Sequence, residues 1–159
     1  MEVINYINGD ATAPIGEGNK IIAHVCNDIG AWGRGFVLAL SKRWLAPERE
    51  FKQWYKSGGK FALGEVIFVK VEENTWVANM VGQHDIKRKT DKAGTPPPVR
   101  YEAIGKALSK VAVFATEKKA AVHMPRIGCG VAGGTWDKVE PIIIQELITK
   151  GIPVTVYDL

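Results

Sequence analysis

Two stretches of the sequence, NDIGAWGRGFV (27–37) and MPRIGCGVAGGTW (124–136), each place glycines between an apolar run and a helical pattern. Glycine lets a backbone approach a ligand closely and take up positive φ, and the free N–H groups at a helix start attract anions. One such loop can hold one phosphate, and two that face each other can hold a diphosphate. Glycines after strands also build ordinary turns, so either loop taken alone fits both readings. The recurrence of the pattern favours a ligand.

Familiar phosphate motifs do not account for the pair. No G-x-x-x-x-G-K-[ST] is present, which argues against a P-loop kinase or GTPase. Gly128, Gly130 and Gly133 satisfy G-x-G-x-x-G, but only 26 residues follow Gly133. A dinucleotide-binding fold carries that fingerprint on its first strand with several βαβ units after it. An NAD-binding domain is therefore the weaker alternative.

The elements that would position the loops follow from the apolar periodicity. EVINYI (2–7) and KIIAHVC (20–26) are rich in β-branched residues and are separated by the turn-forming NGDATAPIGEGN, so both read as strands. From Gly35 to Tyr55 the pattern is helical, and Pro47 divides it, sitting early in a second helix where its missing N–H does no harm. GEVIFVKV (64–71) and TWVANMV (75–81) are joined by EEN alone, which predicts an antiparallel hairpin. A long polar stretch (82–98) precedes a helix over 99–119, and such a loop inside a compact domain often belongs to a site. Strand AAVHMP (120–125), the second glycine loop, a helix over 135–150 and a last strand VTVYDL (154–159) complete the order.

Alternating strands and helices with one hairpin predict a three-layer α/β/α domain on a mixed, mostly parallel sheet. In open sheets of that kind ligands bind beyond the carboxyl ends of the strands, where strand-to-helix loops converge.

Composition agrees with a globular protein and narrows its class. With 159 residues, 46% hydrophobic and 24% charged, the chain suits one domain spanning 1–159, and no run approaches the length of a membrane span. An acid at position 2 followed by strand-like alternation is unlike a secretory signal, so a cytoplasmic location is expected. Cys26 and Cys129 belong to no Cys-x-x-Cys or Cys/His cluster, so neither a disulfide scaffold nor a metal site is expected. The net charge of +4 suits an anionic ligand but is too mild for a dedicated nucleic-acid binder. KRKTDK (87–92) reads as a solvated loop before it reads as a phosphate patch.

Four motifs then point to a family. NGDAT (8–12), HVCNDIGAWGRGFVLAL (24–40), MPRIGCGVAGGTW and VTVYDL stand in the same order as in macrodomains, whose members bind ADP-ribose, and over nearly its whole length the chain resembles that family. The likeness is nearest to the branch of terminal ADP-ribose glycohydrolase, the ADP-ribose-1″-phosphate phosphatases and the antitoxin glycohydrolases acting on ADP-ribosylated DNA. The resemblance implies that Asp10 accepts from the adenine amino group beside the backbone of Ala11, and that Tyr157 packs by the adenine or its ribose. It implies that N–H groups around Gly33, Arg34, Gly35 and Phe36 face one phosphate. Those of Gly128, Cys129, Gly130, Val131 and Ala132 would face the other phosphate and the distal ribose. No metal or cofactor is expected.

Catalytic side chains of the branch are not all matched. Its glycohydrolases use a lysine just after the fourth strand, where this sequence has Gln83, and an aspartate shortly after GCG, where it reads Val131-Ala132. An amide cannot form the adduct that an amine forms, so a lysine mechanism would need Lys87 or Lys89 from the next loop. The remaining candidates are Asn27, to orient the distal ribose, and His84 or Asp28 as a general base toward water. His24 and His123 fall inside strands, where packing is the expected role. The implied function is ADP-ribose binding with hydrolysis of ADP-ribose-1″-phosphate or an ADP-ribosyl ester, the alternative being a recognition module without turnover. The expected partner is ADP-ribose or an ADP-ribosylated substrate, with no membrane and with nucleic acid only as such a substrate.

Overall fold

A computed structural model describes residues 3–159, so Glu2 of the first expected strand lies outside the described residues. The chain order is β1 (Asn5–Asn8), β2 (Asn19–Asn27), α1 (Phe36–Arg43), α2 (Ala46–Ser57), β3 (Val66–Glu72), β4 (Thr75–Gln83), α3 (Tyr101–Lys118), β5 (Ala120–Met124), α4 (Trp136–Glu146) and β6 (Val154–Asp158). The strands form one sheet in the order β1-β6-β5-β2-β4-β3, parallel throughout except for the β3–β4 hairpin. The five parallel strands therefore end along one crest, where Asn8, Asp158, Met124, Asn27 and Gln83 stand in a row.

Strand alternation builds a core on each face of this sheet. On β2, Ile21 and Ala23 pack with Leu108 and Val111 of α3 and with Val139 and Ile143 of α4. The intervening Ile22 and Cys26 point the other way, onto Leu40 of α1 and Phe51 of α2. Leu108 and Phe51 are completely buried, and burying a side chain of that size contributes about 1.5–3 kcal/mol. Three layers result, and among the described residues no helix is long and apolar enough to cross a membrane.

The helix expected over 135–150 is shorter than its pattern. α4 stops at Glu146, Leu147 caps it at φ −119° and ψ −55°, and a single 3-10 turn follows over Ile148–Lys150. Leu147 is fully buried and its carbonyl accepts from Lys150 and Ile152 N–H, so the chain tightens here to bring Pro153 and β6 back onto the sheet. β4 runs two residues past the apolar stretch that marks it, which places Gln83 opposite Asn27 of β2. Pro47 lies in the first turn of α2, as expected.

Candidate functional site

The side chain of Asn27 shapes the first glycine loop. Its Oδ1 accepts from the N–H groups of Ile29 (3.1 Å) and Ala31 (2.9 Å), and its Nδ2 donates to Ala31 O at 2.8 Å. The loop ends at Gly35, whose φ of 82° and ψ of −146° are open to glycine but strained for other residues. No side chain caps α1, so the N–H groups of Gly33, Arg34, Gly35 and Phe36 have no partner among the described residues.

The second loop is tied to itself and to the segment before α3. Gly134 N–H donates to Gly128 O at 2.7 Å and Val99 N–H to Ala132 O at 2.9 Å. A Cβ on Gly134 would lie 2.5 Å from that Gly128 oxygen, so only glycine permits the approach. Cys129 N–H closes a turn onto Arg126 O at 3.3 Å, whereas those of Gly128, Gly130, Val131 and Ala132 have no partner among the described residues. Of the second-loop amides expected to face a ligand, Cys129 is thus the one already engaged.

Between the loops lies a cleft of two adjoining hollows, about 130 and 180 Å³ in volume. Both are walled by Val25, Arg34, Val37, Gln83 and Val131. Small-molecule sites usually occupy about 300–1,000 Å³, so a nucleotide-sized ligand has to run through both. Asn27, Trp32, Ile86 and Lys87 line the first hollow, while His24 and the second loop line the other. Lys87 therefore reaches the cleft, and its neighbours in KRKTDK are exposed.

Asp28 and His84 meet each other but line neither hollow. His84 Nδ1–H donates to Asp28 Oδ2 at 2.7 Å, and Asp85 N–H donates to Asp28 Oδ1 at 2.7 Å. Asp28 thereby fastens the loop after β4 to the loop after β2. Within the cleft floor His24 is fully buried and donates from Nε2 to Asn79 Oδ1, and burial holds it down to about 4 against the weaker opposing effect of that bond. Burial likewise pushes the Cys26 thiol up, so it stays protonated beneath the cleft.

At the β1–β6 end the residues are committed to local structure. Asp10 Oδ1 accepts from both the N–H and the hydroxyl of Thr12 at 2.8 Å, closing an Asx turn, while Oδ2 has no partner among the described residues. Ala11 is buried. Tyr157 is 4% exposed; its hydroxyl accepts from Ile15 N–H at 3.0 Å and donates to His123 Nδ1 at 2.7 Å. Its ring thus lies under the 9–15 loop and offers little face to a base.

Arg126 lines the cleft although sequence patterns did not single it out. It lines the second hollow, donates to both oxygens of Asp158 at 2.7 and 3.0 Å, and lies over the rings of Tyr6 (5.2 Å) and Trp136 (5.1 Å). The guanidinium holds the Asp158 carboxyl below its ordinary range. Its position directly before IGCG is the one signal in the sequence.

No family model matches the chain. Comparison with individual proteins is more telling. A macrodomain protein from Streptomyces coelicolor is 55% identical, covers 99% of this chain with 99% of its own, and superposes with a TM-score of 0.86. Chromodomain-helicase-DNA-binding protein 1-like of Mus musculus is 33% identical over 97% of this chain, which spans only 17% of that relative's length. An ADP-ribose 1″-phosphate phosphatase of Candida albicans is 27% identical over 87% of this chain and 90% of the enzyme. The sheet order, the two glycine loops and these likenesses agree: the chain belongs to the macrodomain family.

Proposed function

We propose that the cleft binds ADP-ribose and that the protein hydrolyses an ADP-ribose derivative, either ADP-ribose-1″-phosphate or an ADP-ribosyl ester. One observation carries this reading: two loops with unpaired N–H groups flank two adjoining hollows that share the walls Val25, Arg34, Val37, Gln83 and Val131. The likeness to an ADP-ribose 1″-phosphate phosphatase supports the hydrolytic half. Asp10 Oδ2 is the acceptor at the adenine end, and the Gly33–Phe36 and Gly128–Ala132 stretches hold one phosphate each. The Asp28–His84 pair is the candidate base, with the carboxylate orienting the imidazole as in other base–orienter pairs. The chain acts as one domain inside the cell.

A second reading has its own support. The walls of both hollows contain no carboxylate, and Asn27 has both ends of its amide occupied by the loop, which favours a recognition module without turnover. Calorimetric titration with ADP-ribose, NAD and AMP separates the possibilities, followed by turnover assays on ADP-ribose-1″-phosphate and an acyl ester. Tight ADP-ribose binding with weak NAD binding is expected; equal affinity for both would sink the reading. Binding without turnover of either substrate leaves the module.

A further inference from the structure

Lys20 and Thr75 stand side by side where β2 and β4 begin, at the far end of the strands that Asn27 and Gln83 close. A separate hollow of about 200 Å³ opens there, lined by these two residues with Arg43, Trp44, Asn74 and Pro14. Lys20 is only 8% exposed. Its Nζ donates to Gly18 O at 3.1 Å, and the same oxygen accepts from Asn74 Nδ2 at 3.1 Å. The one carboxylate on the walls, Glu72, pairs with Arg43 at 3.7 Å, and Lys20 forms no ion pair among the described residues.

An ammonium carries three N–H donors, and burying it without an opposite charge is costly. Gly18 O takes one of the three and has Asn74 as a second donor. Thr75 Oγ1 donates to Asn74 Oδ1 at 3.1 Å, so the neutral polar groups beside Lys20 are turned on each other. The charged side chains on the walls, Lys20 and Arg43 against Glu72, leave one positive charge over. A monovalent anion matches that balance, whereas Glu72 repels the second charge of a phosphate dianion. Trp44 and Pro14 give the same space an apolar side, and its volume is below the roughly 300–1,000 Å³ usual for a nucleotide-sized ligand. We propose that this hollow binds the carboxylate of a small organic acid, whose oxygens accept from Lys20 Nζ while its carbon chain lies along Trp44 and Pro14. The site stands apart from the cleft and does not depend on the ADP-ribose reading.

Butyrate is the probe, titrated into the isotope-labelled full chain and followed by NMR. It is expected to shift the Trp44 indole signal and the Asn74 and Thr75 amide signals to saturation, while those of Gly35 and Val131 in the cleft stay in place. Lys20→Met keeps the length of the side chain, removes the charge and leaves Gly18 O its Asn74 donor. It is expected to weaken butyrate at least about tenfold, the scale of one charge-assisted hydrogen bond, without lowering the melting temperature, because a buried charge without a counter-ion is gone. No saturable shift, equal butyrate affinity in Lys20→Met, or tighter binding of inorganic phosphate than of butyrate would each overturn the proposal. Loss of butyrate binding together with a lower melting temperature would mean that the ammonium only holds the Gly18 turn, and would overturn it as well. Should Lys20→Met fail to fold, Ala13→Asp sets a fixed carboxylate on the exposed wall of the hollow and is expected to abolish butyrate binding; undiminished binding there would overturn the proposal equally.

Discussion

Asn27 and Gln83 are cross-strand partners at the ends of β2 and β4, and their carboxamides do opposite work. Asn27 has its oxygen and its nitrogen bonded to the loop that follows it. Gln83 has only its nitrogen bonded, to Asp85 O at 2.9 Å, among the described residues. Adjacent amides thus differ in how far the protein itself occupies them.

Removing Asn27 should therefore act on structure before chemistry. Asn27→Ala leaves the Ile29 and Ala31 N–H groups without their acceptor, at a cost of about 1–3 kcal/mol. Thermal unfolding and ADP-ribose affinity should fall together. A variant of undiminished melting temperature that loses turnover alone would restore Asn27 as a group acting on substrate.

Gly130 gives the converse case. A Cβ there meets nothing within 4 Å, and its φ is not in the left-handed region, so Gly130→Val should fold normally. The branched side chain would occupy the space of a phosphate beside the open Gly130 and Val131 amides, and ADP-ribose binding should fall by more than about a hundredfold, since no other backbone donors replace those lost. A folded variant of unchanged affinity would reduce the loop to a turn.

His84 bears on the chemistry. Its side chain is 57% exposed and bonded to Asp28, so His84→Ala should keep ADP-ribose binding. Removal of a general base costs about 10²- to 10⁴-fold in rate, and single-turnover hydrolysis of ADP-ribose-1″-phosphate should drop accordingly. Unaltered hydrolysis would exclude the imidazole and leave water placed by other groups. Asp28→Ala should weaken binding as well, because the same carboxylate anchors Asp85 N–H.

Two buried imidazoles contribute to the acid stability. Burial holds His24 and His123 down to about 4 against an ordinary value of 6.5, with the Lys20 charge adding to the effect on His123. Between those values the unfolded chain binds protons that the folded chain refuses. Stability is full above about pH 6.5 and declines as pH falls toward 4, by up to about 1.4 kcal/mol per pH unit for each imidazole. Urea midpoints followed from neutral pH downward should show this slope, and His123→Asn should flatten it. A midpoint independent of pH in that window would contradict the buried neutral state of both rings.

The fold was legible because its signals are local. The β-branched runs, the three-residue link between β3 and β4, and Pro47 each act within a few residues of themselves. The two glycine loops were legible for the same reason. What escaped depends on contacts between distant segments. Tyr157 looks like any aromatic on a last strand, and only its bonds to Ile15 and His123 turn its hydroxyl inward. Arg126 is held at the cleft by Asp158, Tyr6 and Trp136, none of them near it in the chain except Trp136. Gln83 was visible only as the residue standing where a lysine was expected, since the two-residue extension of β4 is fixed by its neighbour β2 and not by its own apolarity.

The sheet order carries a consequence for the order of folding. β1 pairs only with β6, and β6 also covers the outer side of β5. A chain folded only as far as α4 holds a β5-β2-β4-β3 sheet whose β5 edge is bare, and β1 has no strand to join. Bare edges recruit foreign strands, and pairings across the whole chain form slowly. Until Val154–Asp158 is in place, β5 keeps a bare edge and β1 has no partner strand, and that one strand mates both at once.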